Sequence, residues 1–212
     1  MSNEGNCARC DICPLKADLE KRGTWAPPVL GQLPNKANAI IVGDFPGKHE
    51  VILGMPFVGP KETELHDALD EAGVDRTEVA MTYVVACRYH ADDVKGFNAK
   101  LRNKNRFRKG RKMDLLPTPE ECCAPRLRAE LKPYKNRILL GTAAKLMPGR
   151  PSLMDVRGGP TVLEVHDGED IKVLPTVGVR LVAMAKMWRW VFRSDIKKAF
   201  RYFDNRLEWK EP

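Results

Sequence analysis

Short apolar runs that alternate with helical patterns constrain the fold of this chain most strongly. Four runs are rich in β-branched residues and stop at turn-forming or small residues, at 38–43, 79–87, 137–141 and 171–176. Apolar residues recur at helical spacing over 62–72, 117–132, 142–147 and 194–206. Strands that alternate with helices favour a mainly parallel sheet covered on both faces. The sequence therefore predicts an α/β fold, a three-layer α/β/α sandwich with a central, mainly parallel four-stranded sheet.

The length of 212 residues is sufficient for one domain with a substantial core, so we expect a single domain over 1–212. No stretch approaches the roughly 18–20 apolar residues that a membrane span requires. The N-terminal residues lack the basic and apolar regions of a secretory signal. We therefore expect a cytoplasmic protein without a membrane segment, located in the nucleoid or in a host-cell cytoplasm.

A concentrated run of positive charge lies near the middle of the chain. The formal net charge is +8 at pH 7, and outside this run the basic and acidic residues are equal in number. We predict a basic loop or arm at about 96–114. Its residues 100–112 include no acidic residue and eight cations: Lys100, Arg102, Lys104, Arg106, Arg108, Lys109, Arg111 and Lys112. Neutralised phosphates release counterions, so DNA, single- or double-stranded, is the expected partner. A solvated loop without a function and a contact with an acidic protein are the alternatives.

The loops after the predicted strands are where a ligand is expected, because ligands of parallel sheets bind beyond the carboxyl ends of the strands. The loop after the first strand contains Asp44, and Phe57 follows in a second stretch punctuated by Gly and Pro. The glycines match neither a dinucleotide fingerprint nor a phosphate-binding loop. A carboxylate that orients water, beside a ring that stacks a flipped base, is suited to base excision. Taken singly, a loop Asp is more often a turn former.

The cysteines suggest a bound metal or cluster. The N-terminal residues do not resemble a secretory signal, so we expect a reducing compartment, in which disulfides are rare. A four-cysteine site could draw on a C-x-x-C pair near the start, one cysteine past the second strand and two adjacent helical cysteines: Cys7, Cys10, Cys87, Cys122 and Cys123. Cys13 is the spare. Such ligands can hold a zinc ion or a 4Fe–4S cluster, and the spacing does not choose between them.

Seven motifs occur in a fixed order between Cys7 and about Phe200. They are Cys-x-x-Cys, Ile-Ile-Val-Gly-Asp-Phe-Pro-Gly, Gly-Met-Pro-Phe-Val-Gly, Met-Thr-Tyr-Val-Val-Ala-Cys-Arg, Pro-Thr-Pro-Glu-Glu-x-Cys-x-Pro-x-Leu, Ile-Leu-Leu-Gly-Thr-Ala-Ala and Val-Arg-Gly. In this order they resemble the iron–sulfur (family 4) uracil-DNA glycosylases, and together they are far more specific than any one of them. The resemblance implies an α/β/α sandwich with a parallel central sheet and a structural 4Fe–4S cluster beside the DNA.

Carried over residue by residue, the resemblance implies the cluster ligands Cys7, Cys10, Cys87 and Cys123. Segment 123–127 fits the family's Cys-x-Pro-x-Leu pattern, which favours Cys123. Cys122 remains the alternative, because the spacing before this motif is shorter than in the family.

The residues of the implied base site depart from the family pattern. Asp44 stands where the family has a Glu that handles the attacking water, with a shorter reach but the same chemistry. Phe57 matches the ring on which uracil stacks. Tyr83 replaces the Asn that reads the uracil edge, and Gly178 replaces the His that helps stabilise charge on the uracil oxygen. Loss of one such donor typically costs on the order of 10²–10³ in rate.

Binding is better supported than catalysis, because the scaffold and cysteine motifs are kept while two base-site residues are absent. We predict a DNA-binding protein like the uracil-DNA glycosylases, with a structural cluster and weak or lost uracil excision, acting with a replication or repair partner. The alternative is an active glycosylase that hydrolyses the N-glycosidic bond of uracil or another modified base, with Asp44 orienting water. A third hypothesis is a zinc-stabilised protein adaptor without a nucleic-acid role.

Overall fold

A five-stranded sheet forms the centre of the computed structural model, which describes residues 8–149, 152–163 and 170–204. The strands are β1 (Ala39–Gly43), β2 (Val79–Tyr83), β3 (Asn136–Leu140), β4 (Thr161–Leu163) and β5 (Ile171–Thr176). Their order is β2-β1-β3-β5-β4, and only β4 is antiparallel to its neighbour. The predicted, mainly parallel α/β architecture is confirmed, with five strands instead of four. The additional strand, β4, is too short to give a pattern in the sequence.

Helices cover both faces of the sheet. They are α1 (Pro14–Lys21), α2 (Lys48–Leu53), α3 (Thr63–Ala72), α4 (Val94–Gly110), α5 (Pro119–Leu131), α6 (Leu153–Val156), α7 (Val179–Met184) and α8 (Trp188–Phe203). The helix predicted after β3 is instead a 3-10 helix over Gly141–Leu146. None of the described helices has the length and apolarity to cross a membrane.

Alternate residues of the strands supply two separate cores. In β1, Ile41 packs with α3 and α8 on one face of the sheet. Its neighbour Ile40 packs with Leu127 and Leu131 of α5 on the other face. Because β1 is buried along its whole length, it reads as a continuous apolar run in the sequence.

The basic segment is helical over most of its length, which corrects the expected loop or arm at about 96–114. Helix α4 begins where the Asp93 side chain accepts a hydrogen bond from Gly96 N at 2.8 Å. Its lysines and arginines are good helix formers, and Phe97 and Leu101 lie one turn apart on the side that packs against the protein. The abundance of charge concealed this short apolar stripe.

Candidate active site and cysteine cluster

Asp44 lies directly after β1, at the edge where the parallel strands end. Its Oδ1 accepts hydrogen bonds from Thr142 Oγ1 at 2.6 Å and from Ala143 N at 3.1 Å. Burial raises the pKa of Asp44, while these hydrogen bonds and the charge of Arg180 oppose the rise. Oδ2 faces Gly178, where a Cβ atom would lie 3.9 Å from it. The carboxylate is therefore held by fixed donors on one oxygen.

A cavity of about 480 Å³ lies beside this carboxylate. Residues after β1, β3 and β5 meet there, and the cavity is lined by Asp44, Gly141, Thr142, Ala144, Lys145, Ser152, Leu153, Gly178, Arg180, Leu181 and Met184. Two of the predicted site residues, Asp44 and Gly178, are thus brought together. The other two, Phe57 and Tyr83, do not line it.

Phe57 and Tyr83 stack on each other behind the loop that carries Asp44. Their ring centroids are 4.7 Å apart with an interplanar angle of 30°. Phe57 N donates a hydrogen bond to Tyr83 Oη at 2.9 Å. The side chains are 2% and 3% exposed, respectively. One face of the Phe57 ring is therefore covered by a residue of the same chain.

The backbone around Phe57 is held by a half-buried cation, Arg76, that no sequence motif singled out. Phe57 has a φ of +52°, a left-handed conformation that is uncommon for a residue with a side chain. Arg76 donates to Phe57 O at 2.9 Å and to Pro56 O at 2.8 Å. These hydrogen bonds support the unfavourable backbone conformation, so the ring is held firmly against Tyr83.

A pair of buried carboxyl groups, Glu50 and Glu62, lies close to Tyr83 and Arg180. Burial, the Glu50 charge and the hydrogen bond that protonated Glu62 donates to Glu50 raise the pKa of Glu62 to about 8. Arg180 and Lys61 act in the opposite direction. The pair therefore carries a proton at neutral pH. Neither glutamate stands in a pattern that sequence reasoning could have recognised.

Arg180 connects the cavity to the basic helix through a row of aromatic rings. Its guanidinium lies 4.0 Å from the ring centroid of Phe45. The Phe45 and Tyr89 centroids are 5.0 Å apart, and those of Tyr89 and Phe97 are 5.5 Å apart. Phe97 belongs to α4, so the basic helix is packed, ring by ring, onto the loop that contains Asp44.

Five cysteines lie near one another at the base of α4. Cys13, Cys87, Cys122 and Cys123 pack in a cluster with Leu15, Leu19 and Tyr89. Cys10 is half-buried and interacts electrostatically with Cys13. All five are free thiols, whereas Cys7 falls outside the described residues. Within the described ranges, no three His, Cys, Asp or Glu side chains are grouped so as to hold a single metal ion.

Four of the five thiols interact electrostatically with one another. Burial and then the charges of Cys123, Cys13 and Cys10 raise the pKa of Cys87 to about 12. Cys123 also interacts with Cys13 and Cys10, and the N–H of Ala86 donates to it. Four thiols from the chain start, the end of β2 and α5 thus act on one another.

Cys122 interacts with two members of that group. After burial, the charge of Cys13, a hydrogen bond with Cys13 and then the charge of Cys123 raise the pKa of Cys122 to about 12. Sequence reasoning left Cys13 as the spare, although Cys10-x-x-Cys13 is a second C-x-x-C pair that overlaps the first. That overlap was the available signal for Cys13.

Two buried hydrogen-bond donors near the thiols have no acceptor among the described residues. They are the Tyr89 hydroxyl and Arg126 Nε, and both side chains are almost fully buried. Arg126 also opposes the rise in the pKa of Cys10, Cys87 and Cys123. Cluster sulfurs accept hydrogen bonds, and a cluster held by thiolates is negatively charged. The cation and the two donors therefore fit a bound iron–sulfur cluster.

Comparison with known proteins identifies relatives of this chain. A sequence profile of the uracil DNA glycosylase superfamily matches residues 30–206. A type-4 uracil-DNA glycosylase of Thermotoga maritima is 27% identical over 200 residues, covering 90% of this chain and 88% of that protein.

Two archaeal proteins show higher identity over shorter segments. The type-4 uracil-DNA glycosylase of Pyrobaculum aerophilum is 42% identical over 79 residues, 37% of each chain. That of Archaeoglobus fulgidus is 38% identical over 73 residues, 34% of this chain and 36% of that protein. The chain thus spans little more than a third of the length of these two relatives, whereas the superfamily profile matches most of it. The chain belongs to the uracil DNA glycosylase superfamily, as the order of its motifs predicted.

Proposed function

We propose that the protein binds DNA through α4 and excises uracil weakly or not at all. The observation that carries this proposal is the stacking of Tyr83 on Phe57, with the Tyr83 hydroxyl accepting from Phe57 N. By the resemblance, Phe57 is the ring on which uracil would stack. With Tyr83 against it, Phe57 is only 2% exposed, so little of the ring is accessible to a base. Gly178 adds to this effect because it offers no side-chain donor toward the cavity.

A matched pair of assays tests the two halves of this proposal. Fluorescently labelled oligonucleotides with and without uracil are incubated with the protein, and both retention and abasic-site formation are measured. The expected result is retention of both oligonucleotides with little abasic product. Efficient formation of abasic sites would refute the loss of excision, and absence of retention at low salt would refute DNA binding.

An active glycosylase for uracil or another base is the second candidate, and Asp44 favours it. Its carboxylate is oriented by Thr142 and Ala143 beside a cavity large enough for a base. In this case Asp44 would orient the attacking water. The same assay with oligonucleotides that carry other altered bases distinguishes the two candidates, since abasic product with any one of them supports the enzyme.

We further propose that a 4Fe–4S cluster is held by Cys10, Cys13, Cys87 and Cys123. The mutual electrostatic effects of these thiols and the unpartnered donors of Tyr89 and Arg126 support this set. When bound, the cluster would supply iron–thiolate bonds that join the chain start to β2 and α5. Cys7, predicted in place of Cys13, stays a candidate ligand, and zinc is the alternative metal. Measured iron, acid-labile sulfide and zinc contents decide between a 4Fe–4S cluster and a zinc ion.

We propose that the protein acts in the cytoplasm or nucleoid, where it would meet DNA and a replication or repair partner. The support is the DNA substrate implied by the family. A pull-down with the purified protein, with and without nuclease treatment, tests for a partner protein. Recovery of a partner only in the absence of nuclease would indicate bridging by DNA.

A further inference from the structure

The C-terminal end of α4 combines positive charge with exposed apolar side chains. Phe107 is 57% exposed, and Met113 and Leu115 in the following loop are also exposed. No acidic residue occurs between Asp93 and Asp114. Exposed apolar side chains therefore lie within or directly beside a stretch whose charged residues are all basic.

Phe107 and the cations on either side of it form a stripe along the solvent-facing side of α4 and its C-terminal end. Lys100, Lys104 and Phe107 follow one another at spacings of four and three residues, which places them along one side of α4. Arg111 is the residue that caps the C-terminal end of the helix. The Arg111 guanidinium lies 4.3 Å from the centroid of the Phe107 ring. More than half of Phe107 nevertheless remains accessible.

The loop after α4 is fastened to the helix, so these side chains are presented on a fixed support. Asn105 donates to Leu116 O at 3.0 Å and accepts from Leu116 N at 2.9 Å. Met113 N donates to Arg108 O at 3.0 Å, and Arg108 Nε donates to Asp114 O. Held in this way, the ring loses little conformational freedom when a ligand binds.

We propose that this stripe binds single-stranded DNA and that Phe107 is the platform on which an unpaired base stacks. Lys100, Lys104 and Arg111 would contact the phosphates on either side of that base. Unpaired bases present their faces to a protein ring, whereas a ring meets a base face in a duplex only after a base step has been unstacked. This inference rests on the proposed DNA binding and names its substrate class.

The inference is tested by measuring the affinity of the protein for labelled oligo-dT and for a duplex. Fluorescence anisotropy over a range of salt concentrations gives both affinities. The wild type is expected to bind oligo-dT more tightly than the duplex. Phe107→Ala is expected to weaken binding of oligo-dT about tenfold without changing its salt dependence. Replacing Lys100 and Lys104 by Gln should reduce the slope of log affinity against log salt by about 0.7 for each lysine.

Trp25→Ala is the matched control, because Trp25 is also exposed and has a cation, Lys16, 5.8 Å from its ring, outside the basic run. This variant is expected to bind oligo-dT like the wild type. Phe107→Leu keeps apolar bulk without the aromatic face and should match the alanine variant, whereas Phe107→Trp should retain affinity.

The outcomes separate this inference from the proposed function. Undetectable binding to either DNA form at low salt would refute both. Binding with a preference for duplex, or wild-type affinity of Phe107→Ala for oligo-dT, would overturn the stacking inference and leave DNA binding intact. Tight association with phosphatidylglycerol vesicles that depends on Phe107, without a preference for oligo-dT, would assign the stripe to a membrane surface instead.

Discussion

Replacing Tyr83 by Asn and Gly178 by His is expected to raise uracil excision well above that of the wild type. The first change removes the ring that covers Phe57, and the second introduces a donor toward the cavity that contains Asp44. By the resemblance, these are the residue types that a family 4 enzyme carries at the two positions. The double variant therefore tests whether Tyr83 and Gly178 account for the proposed loss of activity.

The structure allows the size of each effect to be estimated. Gly178 has an ordinary extended backbone, with φ −75° and ψ 146°, and a Cβ there would lie 3.5 Å from Gly141 Cα. A His should therefore fit, and one such donor is worth on the order of 10²–10³ in rate. Truncating the buried Tyr83 ring is expected to cost about 3–5 kcal/mol of unfolding free energy. The variant must therefore be shown to be folded.

Single-turnover formation of abasic sites is the assay, with circular dichroism to confirm folding. The double variant should exceed the wild type by at least about 100-fold. Tyr83→Phe is the control, since it keeps the covering ring and removes only the hydroxyl that accepts from Phe57 N. A folded double variant that binds uracil-containing DNA without forming abasic sites would refute the reasoning.

Three further predictions concern single side chains. Asp44→Asn in the double variant should abolish excision while DNA is still retained, because an amide cannot take a proton from water; persistent abasic product would contradict this role. The Glu62 carboxyl binds its proton more tightly in the folded protein than in the unfolded chain, since its pKa rises from 4.5 to about 8. The free energy of unfolding should therefore fall as pH rises through this interval, and Glu62→Gln should remove that fall, as measured by Tm across the same range; parallel curves would count against the buried pair. Cys13→Ser should lower iron content sharply and Cys122→Ser should not, and the opposite ranking would exchange their proposed roles.

Short apolar runs made most of the fold predictable, because β1 and β2 are buried along their whole length and β3 and β5 are buried over their C-terminal parts. Strand β4 escaped prediction because three residues carry no period. Helix α4 was expected as a loop because its packing side consists of a few residues, such as Phe97 and Leu101, among many cations. Local composition is a weak guide where tertiary contacts stabilise a helix.

Site residues could be predicted where they belong to a strand end or a family motif. They could not be predicted where they act through contacts between segments distant in sequence. Asp44 was recognised because it directly follows β1, and Gly178 because the family it resembles has a His at that position. The two residues meet at one cavity. Arg76 contacts the backbone of Phe57, and Glu62 contacts another buried carboxyl group. No local sequence pattern predicts either contact. Motif order identified the superfamily, but only three-dimensional contacts showed Tyr83 lying on Phe57.

The most direct test of the central claim is the single-turnover rate of uracil excision by the protein with its metal content determined. The Thermotoga maritima relative serves as positive control on the same single- and double-stranded oligonucleotides. We expect the protein to bind the DNA and to form abasic sites at least about 100-fold more slowly than the control. A rate equal to that of the control would refute the proposed loss of excision.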